Sequence, residues 1–271
     1  MAPPDLAGLC DDLAAEHADL DALVAPLDAA QWDLMTPAER WAIRDQIHHL
    51  AWFDRNGVLA IEDPDAFTAS MAEMIGDFDG FEDRLSAEAR DMSPDDLLAW
   101  WREERQRIVR VMRTVDPSLR VPWYGPPMAL SSFATARLME TWAHGQDVAD
   151  ALGAQRTPTI RLRHIAHIGV RTRGFAYALR DMLLPEGEVR VELEAPDGAT
   201  WEWGPASAAD RVTGPAVDFC LVVTQRRHRA DTAIKAEGPL AEEWLSIAQA
   251  FAGSPGAGRQ PGQFSKGEQW A

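Results

Sequence analysis

Glu140 and His144 stand four residues apart in the run Arg137-Leu-Met-Glu140-Thr-Trp-Ala-His144-Gly145-Gln-Asp147. On an α-helix that spacing brings two side chains to within about 40° of each other and roughly 6 Å along the axis. A carboxylate and a neutral imidazole placed in this way can each offer one ligand atom to a single ion. The donor set suits zinc and related first-row metals. Taken alone, the pair also reads as a solvated salt link. His48 and His49 lie far upstream in adjoining positions, beside an apolar stripe of Ile43, Ile47 and Leu50. Either could bring a third ligand from an antiparallel helix, a natural way to place a metal inside a bundle. Spacing does not choose between them.

Other side chains could shape such a centre. Asp45, one turn before His49, and Asp147, three residues after His144, could orient an imidazole or stand as plain exposed carboxylates. The segment Pro122-Trp123-Tyr124-Gly125-Pro126-Pro127-Met128 precedes the Glu140 helix. Its Trp123 and Tyr124 could line the mouth of a pocket or pack as a rigid loop. Trp52 and Trp142 are close enough in sequence to the prospective ligands to wall a site. His164, His167, Arg171 and Arg173 could meet an anionic substrate, as could the run Arg226, Arg227, His228, Arg229. A solvated basic face and a helix end stabilised by its dipole account for the same residues. Cys220, inside the apolar run FCLVV, reads as buried.

The elements that must position these residues are mostly helical over the first two thirds of the chain. Leu6, Leu9, Leu13, Leu20 and Leu23 recur at helical spacing over about 5–27. Thr36-Pro37-Ala38-Glu39 supplies a capping hydroxyl, a proline at the first turn and a glutamate three residues after the cap. These signals predict a helix from there through Asp63, with minor helices over 66–90. Ser93-Pro94-Asp95-Asp96 repeats the start logic for a helix to about Thr114. The proline-rich stretch after it cannot be helical throughout. A further long helix carries Glu140 and His144 and stops near Gly153, and Thr157-Pro158 opens a fifth. Near Leu184 the pattern turns to alternation: EVRVELE, a Pro196-Asp197-Gly198 turn and ATWEWG read as a hairpin. A strand near RVTG, a helix over 215–225, a strand near DTAIKAEG and a last helix complete a small α+β domain.

These two signatures resemble the DinB-like superfamily, and in particular the mycothiol-dependent maleylpyruvate isomerase-like proteins of actinobacteria. The stretch from Trp41 through Ile43, Asp45 and His49 to Leu50 looks like the family's first ligand helix. Arg137, Glu140, His144 and Asp147 match its "R-x-x-E-x-x-x-H-x-x-D" signature. The resemblance implies that the histidine just before the leucine, His49, joins Glu140 and His144 in holding a metal. It implies an α+β chain: a DinB-like four-helix bundle with an additional helix over 1–183 and a small C-terminal α/β domain over 184–253; the glycines and prolines beyond predict a flexible tail over 254–271. Around 225–229 the chain departs from the family's Gly-Arg that follows the apolar run, having Gln225-Arg226-Arg227-His228-Arg229.

The function implied by the resemblance is metal-dependent isomerisation or thiol transfer. Zinc is the expected divalent metal and mycothiol the thiol cosubstrate, adding to an activated alkene or carbonyl of a small-molecule substrate. Three protein ligands would leave a position open, the arrangement of a catalytic rather than a structural site. A thiol-independent hydrolase, lyase or cyclase acting on a secondary metabolite, and a non-catalytic metal-binding module, are the alternatives. Bulk properties narrow the partners. At 271 residues, with 46% hydrophobic and 25% charged residues, the chain can bury a substantial core. A formal net charge of -17 argues against a nucleic-acid or anionic-membrane partner. Two cysteines, no apolar run of about 18 residues and no signal-like start predict a soluble cytoplasmic protein, monomer or homodimer.

Overall fold

A computed structural model describes residues 5–76, 78–256 and 258–264, with side chains of 72–79 and 82 excepted. The chain divides into two compact units, Met1–Ala154 and Gln155–Ala271.

The first unit is a bundle of four long helices: α1 (Leu6–Val24), α3 (Ile43–Glu62), α6 (Pro94–Thr114) and α7 (Leu130–Leu152). A one-turn α2 (Ala29–Trp32) follows α1, while α4 (Pro64–Gly76) and α5 (Phe78–Asp91) fill the passage from α3 to α6. The helices pack α3 on α6 and α7, and α1 on α6 and α7. Their apolar stripes meet in a core of Leu20, Val24, Trp32, Ile43, Ile47, Leu50, Leu97, Trp101 and Val148. Gly57 allows the closest approach: a Cβ there would lie 2.8 Å from Phe133 Cζ. Ser93 caps α6 by accepting from the Asp96 N–H (3.1 Å), and Gly153, at φ 60°, ends α7. The proline-rich stretch forms a hairpin, β1 (Arg120–Trp123) and β2 (Gly125–Ala129).

One start signal is used differently from the sequence expectation. Helix α3 begins at Ile43, and Thr36–Ala42 closes a turn through the bridge Met35↔Ala42, with Arg40 at φ 69°. A left-handed residue cannot continue a helix, so Thr36 is not its cap. Asp45 does that work, accepting from the Ala42 N–H at 2.8 Å.

The second unit holds α8 (Leu162–Arg171), α9 (Arg173–Ala178) and a four-stranded sheet ordered β4 (Thr200–Trp203), β3 (Val189–Glu194), β5 (Asp210–Pro215), β6 (Lys235–Glu237). Strands β3 and β5 run parallel; the other pairings are antiparallel. Helices α10 (Ala216–Val223) and α11 (Pro239–Ile247) complete it, with Asp210 Oδ1 accepting the N–H groups of Leu240 and Ala241. The boundary expected near 183 differs from the observed division at 154. The fifth helix buries Leu162, Ile165, Ala166 and Gly169, and its Gly169 lies directly against Val223 and Phe219 of α10. The tail expected from 254 is held where it is described: Gly262 donates to Asp231 Oδ1 (2.7 Å) and the Arg227 guanidinium lies 3.6 Å over the Phe264 ring. Residues 257 and 265–271 of that expectation lie outside the described residues. Among the described residues no helix is long and apolar enough to cross a membrane.

Candidate metal centre

Helix α3 presents His49 and α7 presents Glu140 and His144 toward one point. One ligand atom from each lies within 4.8 Å of the others, and among the described residues this is the only such group of three. Glu140 Oε2 is 3.1 Å from His144 Nε2 and 3.8 Å from His49 Nε2, and the two imidazole centroids are 4.4 Å apart. Burial would push the Glu140 carboxyl up, but the two facing imidazoles overcome it and hold the group well below the usual carboxylate range. Burial, reinforced by His144, lowers His49 to about 3, against the opposing pull of Glu140. The centre is thus one carboxylate and a neutral His49 imidazole beside His144. His49 and Glu140 remain about one-fifth exposed (19% and 21%), so the ligand group is not sealed from solvent.

A residue that sequence reading passed over orients His144. Gln46 is fully buried, and its Oε1 accepts from His144 Nδ1 at 2.5 Å. The other end of the amide donates to Thr36 Oγ1 (2.9 Å), whose own proton goes to the Trp41 carbonyl (2.8 Å). With the hydroxyl proton committed, Thr36 can only accept from Gln46, so the amide oxygen must face His144. His144 then carries a proton on Nδ1, and Nε2 is the atom it turns to Glu140's side of the centre. The turn at Thr36–Ala42 therefore anchors this chain of bonds. The available signal was spacing: Gln46 lies three residues before His49, on the same side of α3.

Aromatic rings surround the ligands. Trp41 stacks on His144 (centroids 5.7 Å, 14°) and touches His49 (5.0 Å); Phe53 contacts His49 at 4.4 Å. Neither Trp41 nor Phe53 is an obvious site residue from sequence alone. Trp123 and Tyr124, at the hairpin tip, pack on Phe53 at 6.1 and 5.5 Å and so meet the ligands through it. Beneath, Arg137 and Asp54 form a fully buried pair at 2.9 Å, with His17 Nε2 3.7 Å from the other carboxylate oxygen.

The remaining candidates are distributed as follows. His48 lies away from the centre: it packs edge-on to Trp100 (5.1 Å), sits 3.6 Å from Glu88, and lines a separate cavity of about 390 Å³ with Arg55, Glu88, Asp91, Met92 and Trp100. Asp45 is engaged as the α3 cap rather than on an imidazole. Trp52 packs one layer out, on Phe53 and Phe81. Trp142 is buried, two residues and hence about 200° around α7 from Glu140, which turns it to the opposite side. Asp147 is fully buried on α7. In the second unit His167 Nδ1 accepts from the Trp203 indole (3.2 Å) and Arg173 donates to the Gly187 carbonyl. Arg226 and Arg227 donate to the carbonyls of Thr224 and Arg226, Arg229 pairs with Glu242, and Cys220 is buried with its thiol pushed well up by desolvation.

A four-helix bundle with two histidines and one carboxylate converging from two helices defines a protein with a candidate metal site of the mononuclear, open-sided kind. Residues 13–149 match the family model described as the mycothiol maleylpyruvate isomerase N-terminal domain, and the chain belongs to that family. A second model, described as wyosine base formation, matches residues 185–235. Uncharacterised proteins from two strains of Mycobacterium tuberculosis are each 50% identical to this chain over 248 residues, 92% of this chain and 96% of theirs. The crystal structure of the mycothiol-dependent maleylpyruvate isomerase superposes with a TM-score of 0.60 at 15% identity, covering 88% of this chain and 96% of that one. A histidine-to-alanine mutant of that isomerase gives 0.56. At such identity these two structures establish a shared fold.

Proposed function

We propose that this protein is a metal-dependent enzyme of the isomerase or thiol-transfer class. In this reading His49, Glu140 and His144 hold a divalent ion, zinc by the character of the donors, and mycothiol is the cosubstrate. The observation that carries the reading is the convergence of the three ligand atoms from two helices at a partly open point. The residues fit a metal. Zinc bonds of about 2.0–2.1 Å in tetrahedral geometry place ligand atoms about 3.3 Å apart. The two separations from Glu140, 3.1 and 3.8 Å, bracket that value, and all three ligand atoms lie within 4.8 Å of one another.

Bound there, the metal would supply a Lewis-acidic position able to lower the pKa of a thiol or polarise a carbonyl. The chain's own residues do the rest. Glu140 brings one negative charge, His49 a neutral donor, and Gln46 keeps the His144 proton on Nδ1, away from the ligand side. Trp41 and Phe53 screen the imidazoles from water, which strengthens the electrostatics of the site.

Family membership supports thiol use; the test is spectroscopic. Cobalt-substituted protein titrated with mycothiol should develop a sulfur-to-metal charge-transfer band, absent in His49→Ala/His144→Ala protein. A chelator-sensitive turnover with no such band and no response to thiols would point instead to a hydrolase, lyase or cyclase.

A further inference from the structure

We propose that the aromatic surface continuous with His49, formed by Trp41, Phe53, Trp123 and Tyr124, is the substrate subsite, and that it selects a substrate bearing an aromatic or similarly flat uncharged group beside its metal-directed end. The proposal rests on the metal-centre reading above.

Three observations lead there. First, the rings form an unbroken path from the ligands outward: Trp41 to His49 (5.0 Å), His49 to Phe53 (4.4 Å), Phe53 to Tyr124 (5.5 Å) and to Trp123 (6.1 Å). Second, these four differ from the bundle's core aromatics. Trp32, Trp101, Phe67 and Phe133 are fully buried, whereas Trp41, Phe53, Trp123 and Tyr124 each keep part of their surface open, and all four are linked to the ligand side. Trp123 is held from behind by Phe67, stacked at 5.5 Å and 3°. The surface is therefore preformed, and a ligand ring gains edge or face contacts without ordering it first.

Third, charge disfavours the alternative of an anionic tail. Arg137, on α7 beneath the centre, is buried and committed to Asp54 at 2.9 Å. A carboxylate or phosphate tail laid on this surface would lose hydration against aromatic faces, with the Arg137 guanidinium already engaged. An uncharged ring does not meet that cost.

The test uses the full chain loaded with zinc and three hydroxamates that share one metal-binding head: benzohydroxamic, acetohydroxamic and succinic monohydroxamic acids. Zinc titration comes first and stands alone. Failure to bind zinc would overturn the metal-centre reading, and the subsite with it. With zinc bound, calorimetry and tryptophan quenching should rank the benzo compound tightest, by about tenfold over the acetyl compound, the scale of one or two ring contacts. The succinyl compound should be weakest. In Phe53→Leu/Tyr124→Leu protein with unchanged zinc affinity, the preference should shrink to about twofold or threefold. An undiminished preference there, no preference in wild type, or tightest binding by the succinyl compound would overturn the subsite while leaving the metal centre intact. If the double variant does not fold, Phe53→Leu alone and the wild-type ranking decide.

Discussion

His48 and His49 are neighbours on α3, about 100° apart around its axis, and they come to opposite ends. Burial lowers both, to about 4 and about 3 respectively. His49 faces α7, where Glu140 and His144 stand ready as two further ligands. His48 faces Trp100 and the Glu88 carboxylate, which is 61% exposed. The same residue type, similarly desolvated on the same helix, is thus a candidate ligand on one side and a packed cavity wall on the other. What separates the two is the element opposite: α7 brings two donors, one of them a glutamine-fixed imidazole, whereas α5 and α6 bring an exposed carboxylate and an indole. A metal centre is defined by what opposes a histidine more than by the histidine.

The sharpest way to break this contrast is to disturb the crossing of α3 and α7. Asp54→Ala would leave Arg137 charged and unpaired in the bundle, a loss of about 3–5 kcal/mol in denaturant unfolding. Zinc affinity should fall with it, since the same two helices bring His49 to Glu140. Gln46→Leu is gentler. It removes the partner of His144 Nδ1 and should weaken zinc by about 10–100-fold in chelator competition, the usual scale for an outer hydrogen-bond partner. His144 freed of that bond should also show a mixed tautomer by nitrogen NMR, which a purely structural defect would not produce.

A third histidine sharpens the comparison from the core. His17 is held well below its ordinary value by burial, then by Arg105 and Arg137. Its unfolded form takes up a proton near pH 6.5 while the folded form does not. The stability it contributes is therefore present above about pH 6.5 and lost as the pH falls toward the folded value. Unfolding free energy measured in metal-free protein should decline on acidification from that point, and less steeply in His17→Leu. Smallest of all, His48→Gln should cost on the order of 1 kcal/mol of stability and leave zinc affinity unchanged.

Much of the framework could be read from residue spacing. The α6 start at Ser93, the α7 stop at Gly153, the hairpin of β3 and β4 and the pairing of Glu140 with His144 all follow from local rules that the fold does not override. The choice of His49 over His48 came from family resemblance, because adjoining residues on a helix cannot be ranked until their opposing helices are known. Thr36 shows where local rules mislead. Its cap signal is real chemistry, but the hydroxyl is spent on Trp41 and Gln46, so that the turn serves the site and Asp45 starts the helix. Gln46 and Trp41 were hidden for a related reason: a glutamine and a tryptophan acquire their roles only from His144, some hundred residues away. The fifth helix reads as part of a helical domain by composition, and its apolar face alone, without α10, does not reveal which neighbour it joins.

The most direct test sets the two neighbouring histidines side by side. Zinc content after gentle purification, and zinc affinity by chelator competition, would be measured for wild type, His48→Ala and His49→Ala. About one zinc per chain is expected in wild type and His48→Ala, and a loss of affinity in His49→Ala well beyond the ~100-fold ceiling of an outer partner. Equal zinc in all three proteins, or loss in His48→Ala with retention in His49→Ala, would contradict that expectation.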